Sequence, residues 1–477
     1  MDIPEVLDPA AHPSATEAFE REAGLSRSLR TGQITMIAIG GAIGTGLFLG
    51  SGLAVGYAGP GVLISYGIGA LIAYMMMLVL SEMAIAIPTA GSFGTYAQLY
   101  LGPWAGFVVR YTYWAVQVMA IGGEATAAGL YMQFWLPNIP VWVWVVVFSA
   151  GLVLVNALSV NVFGTFEYWF AMIKVIAIIA FIITGLIVIF GIHGVSTASH
   201  NYVGYGGFFP HGLSGVWLAV LVAIFSFYGV EVVAVTGGEA ERPEQSLPRA
   251  MRAMVVRLIL FYILSLAIML AIVPWTKTGA NVVTASPFVL ALSAVHIPAA
   301  ASIMNFVIIT AALSSMNTNL YLTTRMIYSL ARSNEAPSFF GRLAANRVPI
   351  YALLISSAGL VTAILLNLLT ANVYATLFGI AIFGGIVVWI MIFVTFLRFR
   401  PQWQNANLAF RAPLYPYLPI AGAVLLSAIL LTMLFNPDWR FAWEAGVPFF
   451  IVLGAAYVLY AAVQKNKKRE GKRHGRS

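Results

Sequence analysis

Residues 39–52 read IGGAIGTGLFLGSG, and the fold is best approached from this stretch. It holds six glycines in an otherwise apolar run, and a glycine in a helix interior costs about 1 kcal/mol relative to alanine. Close helix packing through small residues four apart, such as Gly40 and Gly44, is the alternative interpretation. The glycine pattern nevertheless predicts a membrane helix that is interrupted near its middle.

A second candidate interruption lies at residues 225–239, which read FSFYGVEVVAVTGGE. The two stretches fall in the first and sixth apolar spans. Interrupted helices at corresponding positions of two halves are typical of inverted-repeat transporters with a binding site at the membrane midplane. Freed backbone N–H groups at the start of a half-helix suit a carboxylate, and freed C=O groups suit an ammonium. The pair therefore predicts a site for a zwitterion of amino-acid size.

The composition places the chain in the membrane. Of its 477 residues 60% are hydrophobic and only 9% are charged, whereas soluble proteins carry about 25% charged residues. Mean hydropathy is +0.88. The absence of cysteine excludes thiolate chemistry, disulfides, and Cys-based zinc or iron–sulfur sites. We therefore predict an all-α integral membrane protein.

The apolar runs predict about twelve transmembrane helices, since each needs roughly 20 apolar residues. Continuous runs of this length argue against a β-barrel. Residues 1–30 are polar and acidic, so no cleavable signal peptide is expected. The predicted organisation is a tail at 1–30, a transport core at 31–397, two peripheral spans within 398–464 and a basic tail at 465–477. The predicted spans are 31–55, 60–87, 104–135, 139–160, 163–190, 213–239, 257–275, 296–325, 349–370, 372–397, 413–435 and 441–464.

The positive charges predict the orientation. With the N-terminus inside, 21 of the 25 Lys and Arg residues fall in cytoplasmic tails and loops. Lys277 and Arg440 fall outside, and Arg110 and Lys174 lie within spans. This asymmetry places both termini in the cytoplasm and the protein in the cytoplasmic (inner) membrane. The basic C-terminal tail is an orientation signal or a contact for anionic membrane lipid. No basic-aromatic module for nucleic acid is present.

Several motifs, taken in order, resemble those of the bacterial amino acid permeases. These form the amino acid transporter branch of the amino acid–polyamine–organocation superfamily, which includes GABA, aromatic amino acid, and D-serine/D-alanine/glycine permeases. The likeness runs from about residue 25 to residue 350 and weakens beyond. It is carried by GGAIGTGLF at 40–48, AGP at 58–60, SEM at 81–83, GSF at 91–93, FG at 163–164, EYWFAMIKV at 167–175, FSFYGVE at 225–231, GEA at 238–240 and SLPRA at 246–250.

The resemblance implies a leucine-transporter-like fold, a 5+5 inverted repeat with two extra C-terminal helices, that imports amino acids with protons by alternating access. It implies an unwound segment in span 1, where the Thr45 and Gly46 amides meet the substrate carboxylate. Carbonyl groups of Ala42, Phe225 and Tyr228 would hold the substrate amine, and Phe225 would close over it. Packing is the alternative role for these aromatic residues. The implied substrate-binding set is Ala42, Ile43, Gly44, Thr45, Gly46, Phe225, Ser226 and Tyr228.

Three ionisable residues within spans are candidates for proton coupling, because such groups are costly in a membrane. Lys174 lies near the middle of span 5, and in proton-coupled relatives a lysine of this span replaces the ion of sodium-driven transporters. A purely structural ion pair is its alternative role. Glu124 in span 3 and Glu231 in span 6 either carry a proton, satisfy freed backbone amides or pair with Lys174.

Four further charges receive other predictions. Glu82, Glu167 and Glu239 lie near cytoplasmic helix ends, where pairing with loop arginines or capping is expected. Arg110 stands where the relatives usually have glycine. It lies near the cytoplasmic end of span 3, and snorkelling to the interface is expected.

Other functional classes fit less well. The six histidines lie in tails, outside loops or at a span edge, and none pairs at helical spacing, so neither an enzyme nor a metal or cofactor site is predicted. Nothing resembles the repeated filter of a simple channel. The leading prediction is amino acid–proton symport with a neutral amino acid or GABA as substrate. An amino acid exchanger is the alternative, and a non-transporting nutrient sensor is a remote one. The oligomeric state cannot be read from the sequence.

Overall fold

The computed structural model describes residues 13–21, 31–89, 91–236, 247, 250, 260–278, 287–294, 299–369 and 373–474, and its regular secondary structure there is helical. The prediction for Glu239 falls outside these ranges. In chain order the α-helices are α1 (Pro13–Arg21), α2 (Thr31–Ala42), α3 (Ser51–Ala58), α4 (Val62–Ala86), α5 (Ser92–Leu101), α6 (Pro103–Met132), α7 (Val141–Leu158), α8 (Val160–Ile187), α9 (Gly194–Val203), α10 (Gly212–Ser226), α11 (Val232–Thr236), α12 (Ser265–Ile272), α13 (Pro287–Ala294), α14 (Ala300–Arg332), α15 (Ile350–Ser356), α16 (Ala358–Leu369), α17 (Val373–Gln402), α18 (Tyr417–Phe435) and α19 (Arg440–His474).

Many of these helices are suited to a bilayer. Within the described residues, seven helical segments are long and apolar enough to cross a membrane, and shorter apolar helices accompany them. In the described part of the chain the structure thus confirms the all-helical class, and the apolar segments indicate a multi-pass membrane protein. The seven segments are Gly46–Ala86, Val141–Leu158, Val160–Gly191, Ser302–Arg332, Thr376–Gln402, Tyr417–Phe435 and Arg440–Lys465.

Both predicted interruptions are present. Helix α2 ends at Ala42, Ile43 and Gly44 form a bend, and helical structure resumes as a π-helical turn at Gly46–Gly50. Helix α10 ends at Ser226, and a turn leads to α11 at Val232. In this turn Gly229 takes φ +93, a conformation that side chains with a Cβ disfavour.

The interrupted helices surround a buried centre. Helix α6 packs against α14 and α17, while α8 packs against α2 and α14. Facing surfaces of α6 and α14 carry many buried polar residues, which a lipid-facing helix would expose at high cost. By contrast α19 leaves apolar side chains 66–68% exposed, as a peripheral helix facing lipid would: Ile451, Val452, Val458 and Leu459.

The N-terminal part of α6 contains a buried ion pair, and the prediction that Arg110 snorkels to the interface is wrong. Arg110 is fully buried, and its Nη2 lies 3.0 Å from Glu335 Oε2. Its Nη1 donates hydrogen bonds to Ser329 and Ser333, at 3.1 Å each, and its Nη2 bonds Gln98. Acceptors on α5, α14 and the following loop therefore satisfy the guanidinium without water.

A second ion pair matches its prediction. The carboxylate of Glu82, near the end of α4, accepts hydrogen bonds from Arg400 of α17 and from the backbone N–H of Ala412, the latter at 2.7 Å. The predicted pairing of Glu82 with an arginine is thus confirmed. The contact ties α4 to α17 and to the loop that follows it.

Candidate functional site

A cavity of about 330 Å³ lies where the two interruptions meet. Its wall combines backbone of the broken segments with side chains from α6 and α14. The lining residues are Gly44, Gly46, Gln117, Ala120, Glu124, Phe225, Ser226, Tyr228, Gly229, Ser315 and Asn319.

Glu124 of α6 is bound to the first interruption. The backbone N–H of Thr45 points at its carboxylate, with 3.3 Å to each oxygen. The side chain approaches so closely that a Cβ at Gly44 would lie 2.6 Å from Glu124 Oε1 and 2.9 Å from Ser315 Oγ. Glycine at position 44 is therefore required for this approach. The carboxylate holds the amide that the resemblance assigns to a substrate carboxylate.

Lys174 of α8 reaches the same interruption from the other side. Its ammonium donates hydrogen bonds of 2.8 Å to the carbonyl oxygen of Ile43 and to Ser314 Oγ of α14. The side chain is fully buried. Two backbone groups of one bend thus bind opposite charges: the Ile43 carbonyl accepts from the Lys174 ammonium, and the Thr45 N–H donates to the Glu124 carboxylate.

The second interruption supplies aromatic and polar groups. Phe225 packs against Phe378 of α17, with ring centres 4.1 Å apart, and its carbonyl accepts the N–H of Tyr228 at 3.0 Å. The Tyr228 hydroxyl donates to the carbonyl of Ile382 at 2.8 Å. Ser226 Oγ lies 3.1 Å from the Tyr66 hydroxyl of α4. These contacts fix the turn beside the cavity.

The two interruptions touch directly. A Cβ at Gly46 would lie 3.1 Å from both Phe225 Cδ1 and Ser226 Cα. A larger residue at position 46 would require α10 to yield by a few tenths of an ångström, so glycine favours this close approach. The structure thus brings the predicted binding segments together at one cavity, with Glu124 on its wall and Lys174 behind the first bend.

Sequence comparison agrees with this architecture. A family model described as Amino acid permease matches residues 33–470 of the chain. The chain belongs to the amino acid permease family. The permease is 38% identical over 457 residues to the uncharacterized amino acid permease YtnA of Bacillus subtilis (strain 168), covering 94% of this chain and 98% of that protein.

Other relatives have more specific names. The permease is 39% identical over 458 residues to the gamma-aminobutyric acid permease of Bacillus subtilis (strain 168), which covers 94% of this chain and 96% of the relative. It is 37% identical over 448 residues to the aromatic amino acid transport protein AroP of Escherichia coli (strain K12), covering 93% and 97%. These relatives are transporters, and the prediction of a transporter rather than an enzyme is confirmed.

Glu231 lies beside a second, smaller cavity of the permease, of about 190 Å³. Its carboxylate accepts the Tyr113 hydroxyl at 3.0 Å and the Gly229 N–H at 3.1 Å. It thus satisfies a freed backbone amide, one of the roles predicted for it. Gln117 and Tyr228 line both cavities and form the partition between them.

Five lining residues lie outside the predicted site set: Gln117, Ala120, Gly229, Ser315 and Asn319. The last two belong to the run SSMNTN at 314–319, which is unusually polar for a membrane helix. Ser315 and Asn319 are four residues apart and so lie on one face of α14. This polar run could have indicated Ser315 and Asn319 from sequence alone. Gln117 has no such run around it and could not have been singled out.

The environment of Glu167 differs from its prediction. Its side chain is fully buried in α8, and among the described residues its hydrogen-bond partners are neutral side chains of α14 rather than an arginine. It accepts hydrogen bonds from Ser314 and from Asn317 Nδ2, the latter at 3.1 Å. The expectation that Glu167 caps a helix or pairs with a loop arginine is wrong. Its burial against α14 depends on packing between distant parts of the chain, which local sequence does not reveal.

Proposed function

We propose that this permease imports amino acids across the cytoplasmic membrane by proton symport, through alternating access to the cavity between the two interruptions. The observation that carries the proposal is the pair of opposite charges on one bend. Lys174 binds the Ile43 carbonyl and Glu124 binds the Thr45 amide. A change in the protonation of either group alters how the bend is held, which couples proton binding to the shape of the site.

The substrate would enter between these groups. Its carboxylate would replace Glu124 at the Thr45 amide and extend to that of Gly46. Its ammonium would bind carbonyl groups of Ala42, Phe225 and Tyr228, with the Phe225 ring closing above it. Ile43, Gly44 and Ser226 would complete the wall. The proposed substrates are neutral amino acids or GABA.

The fold proposed for this mechanism has about twelve spans in two inverted repeats of five, plus two peripheral helices, with both termini in the cytoplasm. Its support comes partly from Gly46–Ala86, which has 41 residues. At 1.5 Å per residue a straight helix of this length would extend roughly 60 Å, about twice the hydrocarbon thickness. Gly59, with φ +58, divides the segment into α3 and α4. Two crossings fit this geometry.

The test is uptake by proteoliposomes containing the purified permease, without sodium. Labelled GABA, histidine, phenylalanine and alanine are each supplied with and without an inward proton gradient. Concentrative uptake that requires the gradient supports symport and identifies the substrate. Lys174→Ala and Glu231→Gln are then expected to abolish accumulation at matched expression.

Two results would contradict the proposal. Uptake that needs internal amino acid and ignores the gradient would identify an exchanger, and Lys174 would then hold a structural charge. Tight binding of a labelled amino acid with neither uptake nor exchange would identify a sensor.

A further inference from the structure

A buried line of polar side chains leads away from the binding cavity between α8 and α14. It begins at Lys174 and continues through Ser314, Glu167 and Asn317 to Asn156 at the end of α7, and each of these side chains is at most 6% exposed. Polar groups are costly at this depth, so an extended chain of them marks a functional path more often than a packing surface.

The path follows from helix periodicity. Glu167 and Lys174 are seven residues apart on α8, so they lie on one face about two turns apart. Ser314 and Asn317, three apart on α14, project from one face of that helix. Because the two helices pack together, the Ser314 hydroxyl lies between the ammonium and the carboxylate.

The hydrogen bonds are oriented in one direction. Lys174 Nζ donates to Ser314 Oγ at 2.8 Å, and Ser314 Oγ donates in turn to Glu167 Oε1. The other carboxylate oxygen accepts from Asn317 Nδ2 at 3.1 Å, and Asn156 Nδ2 donates to Asn317 Oδ1 at 2.7 Å. The amides thus hold Glu167 in position to receive a proton from Ser314.

We propose that Glu167 accepts the proton of Lys174 through the Ser314 hydroxyl, as an inward step of proton release; this rests on the proposed proton symport. One Nζ–H bond of Lys174 breaks as Ser314 Oγ takes that proton. The Oγ–H bond of Ser314 breaks as Glu167 Oε1 takes the second proton. Lys174 becomes a neutral amine, Glu167 a neutral carboxylic acid, and the serine is unchanged.

The transfer keeps the summed charge of the three groups at zero, so no net charge moves into the membrane. It also removes the charge from the donor that binds the Ile43 carbonyl, which weakens the hold on the first bend. Proton release would therefore loosen the segment that binds the substrate. The proton transfer from Lys174 through Ser314 to Glu167, called the relay below, would thus be coupled directly to the substrate-binding segment.

The elements packed around this path contribute few other charged groups. Glu124 of α6 faces the same bend as Lys174, and α2, α7 and α12 contribute no charged residue. Beyond Glu167 the Phe163 ring stacks on Tyr321 at 4.4 Å, and the Arg325 guanidinium lies 3.9 Å from the Tyr321 ring centre. Of these charges only Glu167 is joined to Lys174 through a hydroxyl in the contacts described.

The experiment compares Ser314→Ala and Glu167→Gln with Ser314→Thr, which keeps the hydroxyl. Ser149→Ala is the matched control, because Ser149 is a buried serine of α7 whose hydroxyl bonds the Val145 carbonyl of its own helix. Proteoliposomes receive labelled GABA, histidine, phenylalanine or alanine in separate assays. Two rates are measured for each protein: accumulation driven by a proton gradient, with a trapped pH dye reporting proton entry, and exchange against internal unlabelled substrate at equal pH.

A positioned proton-transfer group contributes about 10²–10⁴-fold to its step, so the ratio of accumulation to exchange should fall at least about tenfold in Ser314→Ala and Glu167→Gln. Ser314→Thr should restore the ratio and Ser149→Ala should keep it. An unchanged ratio in Ser314→Ala, or an equal loss of both rates there and in Ser314→Thr, would overturn the relay. If Ser314→Ala does not fold, the ratio in Glu167→Gln decides. Absence of gradient-driven accumulation in the unaltered permease would instead overturn the proposed symport.

Discussion

At the scale of single residues, Glu124 has two roles that compete. Its carboxylate accepts the Thr45 amide while it also lines the cavity. A substrate carboxylate that takes over this amide must displace an anion of the same kind. In the proposed mechanism, substrate binding and protonation of Glu124 would therefore favour each other, because a neutral glutamic acid gives up the amide more readily than a carboxylate does.

Glu124→Gln tests this competition. Glutamine keeps the size of the side chain but cannot bind a proton, so we expect accumulation driven by a proton gradient to fall at least about tenfold. Exchange at equal pH should fall less. The measurement is the two rates in proteoliposomes at matched protein content. Wild-type accumulation by this variant would remove Glu124 from the coupling mechanism.

Arg110 is a residue whose importance is structural. Removal of one member of a buried ion pair leaves an uncompensated charge and costs about 3–5 kcal/mol. We therefore expect Arg110→Met to lower the melting temperature of the purified permease by several degrees, since Glu335 would remain buried without its partner. The double variant Arg110→Met/Glu335→Leu should recover most of the loss.

The matched control for Arg110 is Arg440→Met. Arg440 and Glu444 form an exposed pair at 3.6 Å, with side chains 66% and 68% exposed, and such pairs contribute little. The melting temperature of the Arg440→Met variant should stay near that of the unaltered permease. If Arg110→Met and Arg440→Met lower the melting temperature equally, the buried Arg110–Glu335 pair does not stabilise the fold more than an exposed pair does.

At the scale of elements, the glycine pattern predicts both interruptions because it acts locally. The cost of glycine in a helix interior, and the close contacts or unusual φ values that a missing Cβ allows, depend on Gly44, Gly46 and Gly229 themselves. The environments of Arg110 and Glu167 were mispredicted because their partners lie far along the chain: Arg110 bonds Ser329, 219 residues later. Local sequence carries the position of a break, whereas the partner of a buried charge depends on tertiary packing.

Gly44→Ala tests the first interruption as an element. The added Cβ would lie 2.6 Å from Glu124 Oε1 and 2.9 Å from Ser315 Oγ, so either these side chains or the bend itself must shift. We expect substrate uptake to be lost while the detergent-solubilised protein stays monodisperse. Gly67→Ala in α4 is the control, because its Cβ would meet nothing within 4 Å and alanine favours the helix by about 1 kcal/mol. Normal uptake by Gly44→Ala would show that the close approach is not needed.

At the scale of the whole molecule, the fold follows largely from composition and length. The apolar runs predict a multi-pass helical protein, and the structure confirms this class. Exact ends are less predictable, because they depend on neighbours. Helix α19 illustrates this: it extends to His474, ten residues beyond the predicted span. A helix that leaves the bilayer can continue into a basic tail, where hydropathy gives no indication of its end.

The orientation of the whole chain is the last prediction, and the absence of cysteine makes its test direct. Thr276 and Ala345 are exposed residues in loops that the charge distribution assigns to opposite sides. We expect Thr276→Cys to react with a membrane-impermeant maleimide on intact cells, and Ala345→Cys to react only after permeabilisation. The unaltered permease has no thiol and gives the background. Both variants should retain uptake, since neither residue lines a cavity described above. The reverse labelling pattern would invert the proposed orientation, and proton release through Ser314 and Glu167 would then lead away from the cytoplasm.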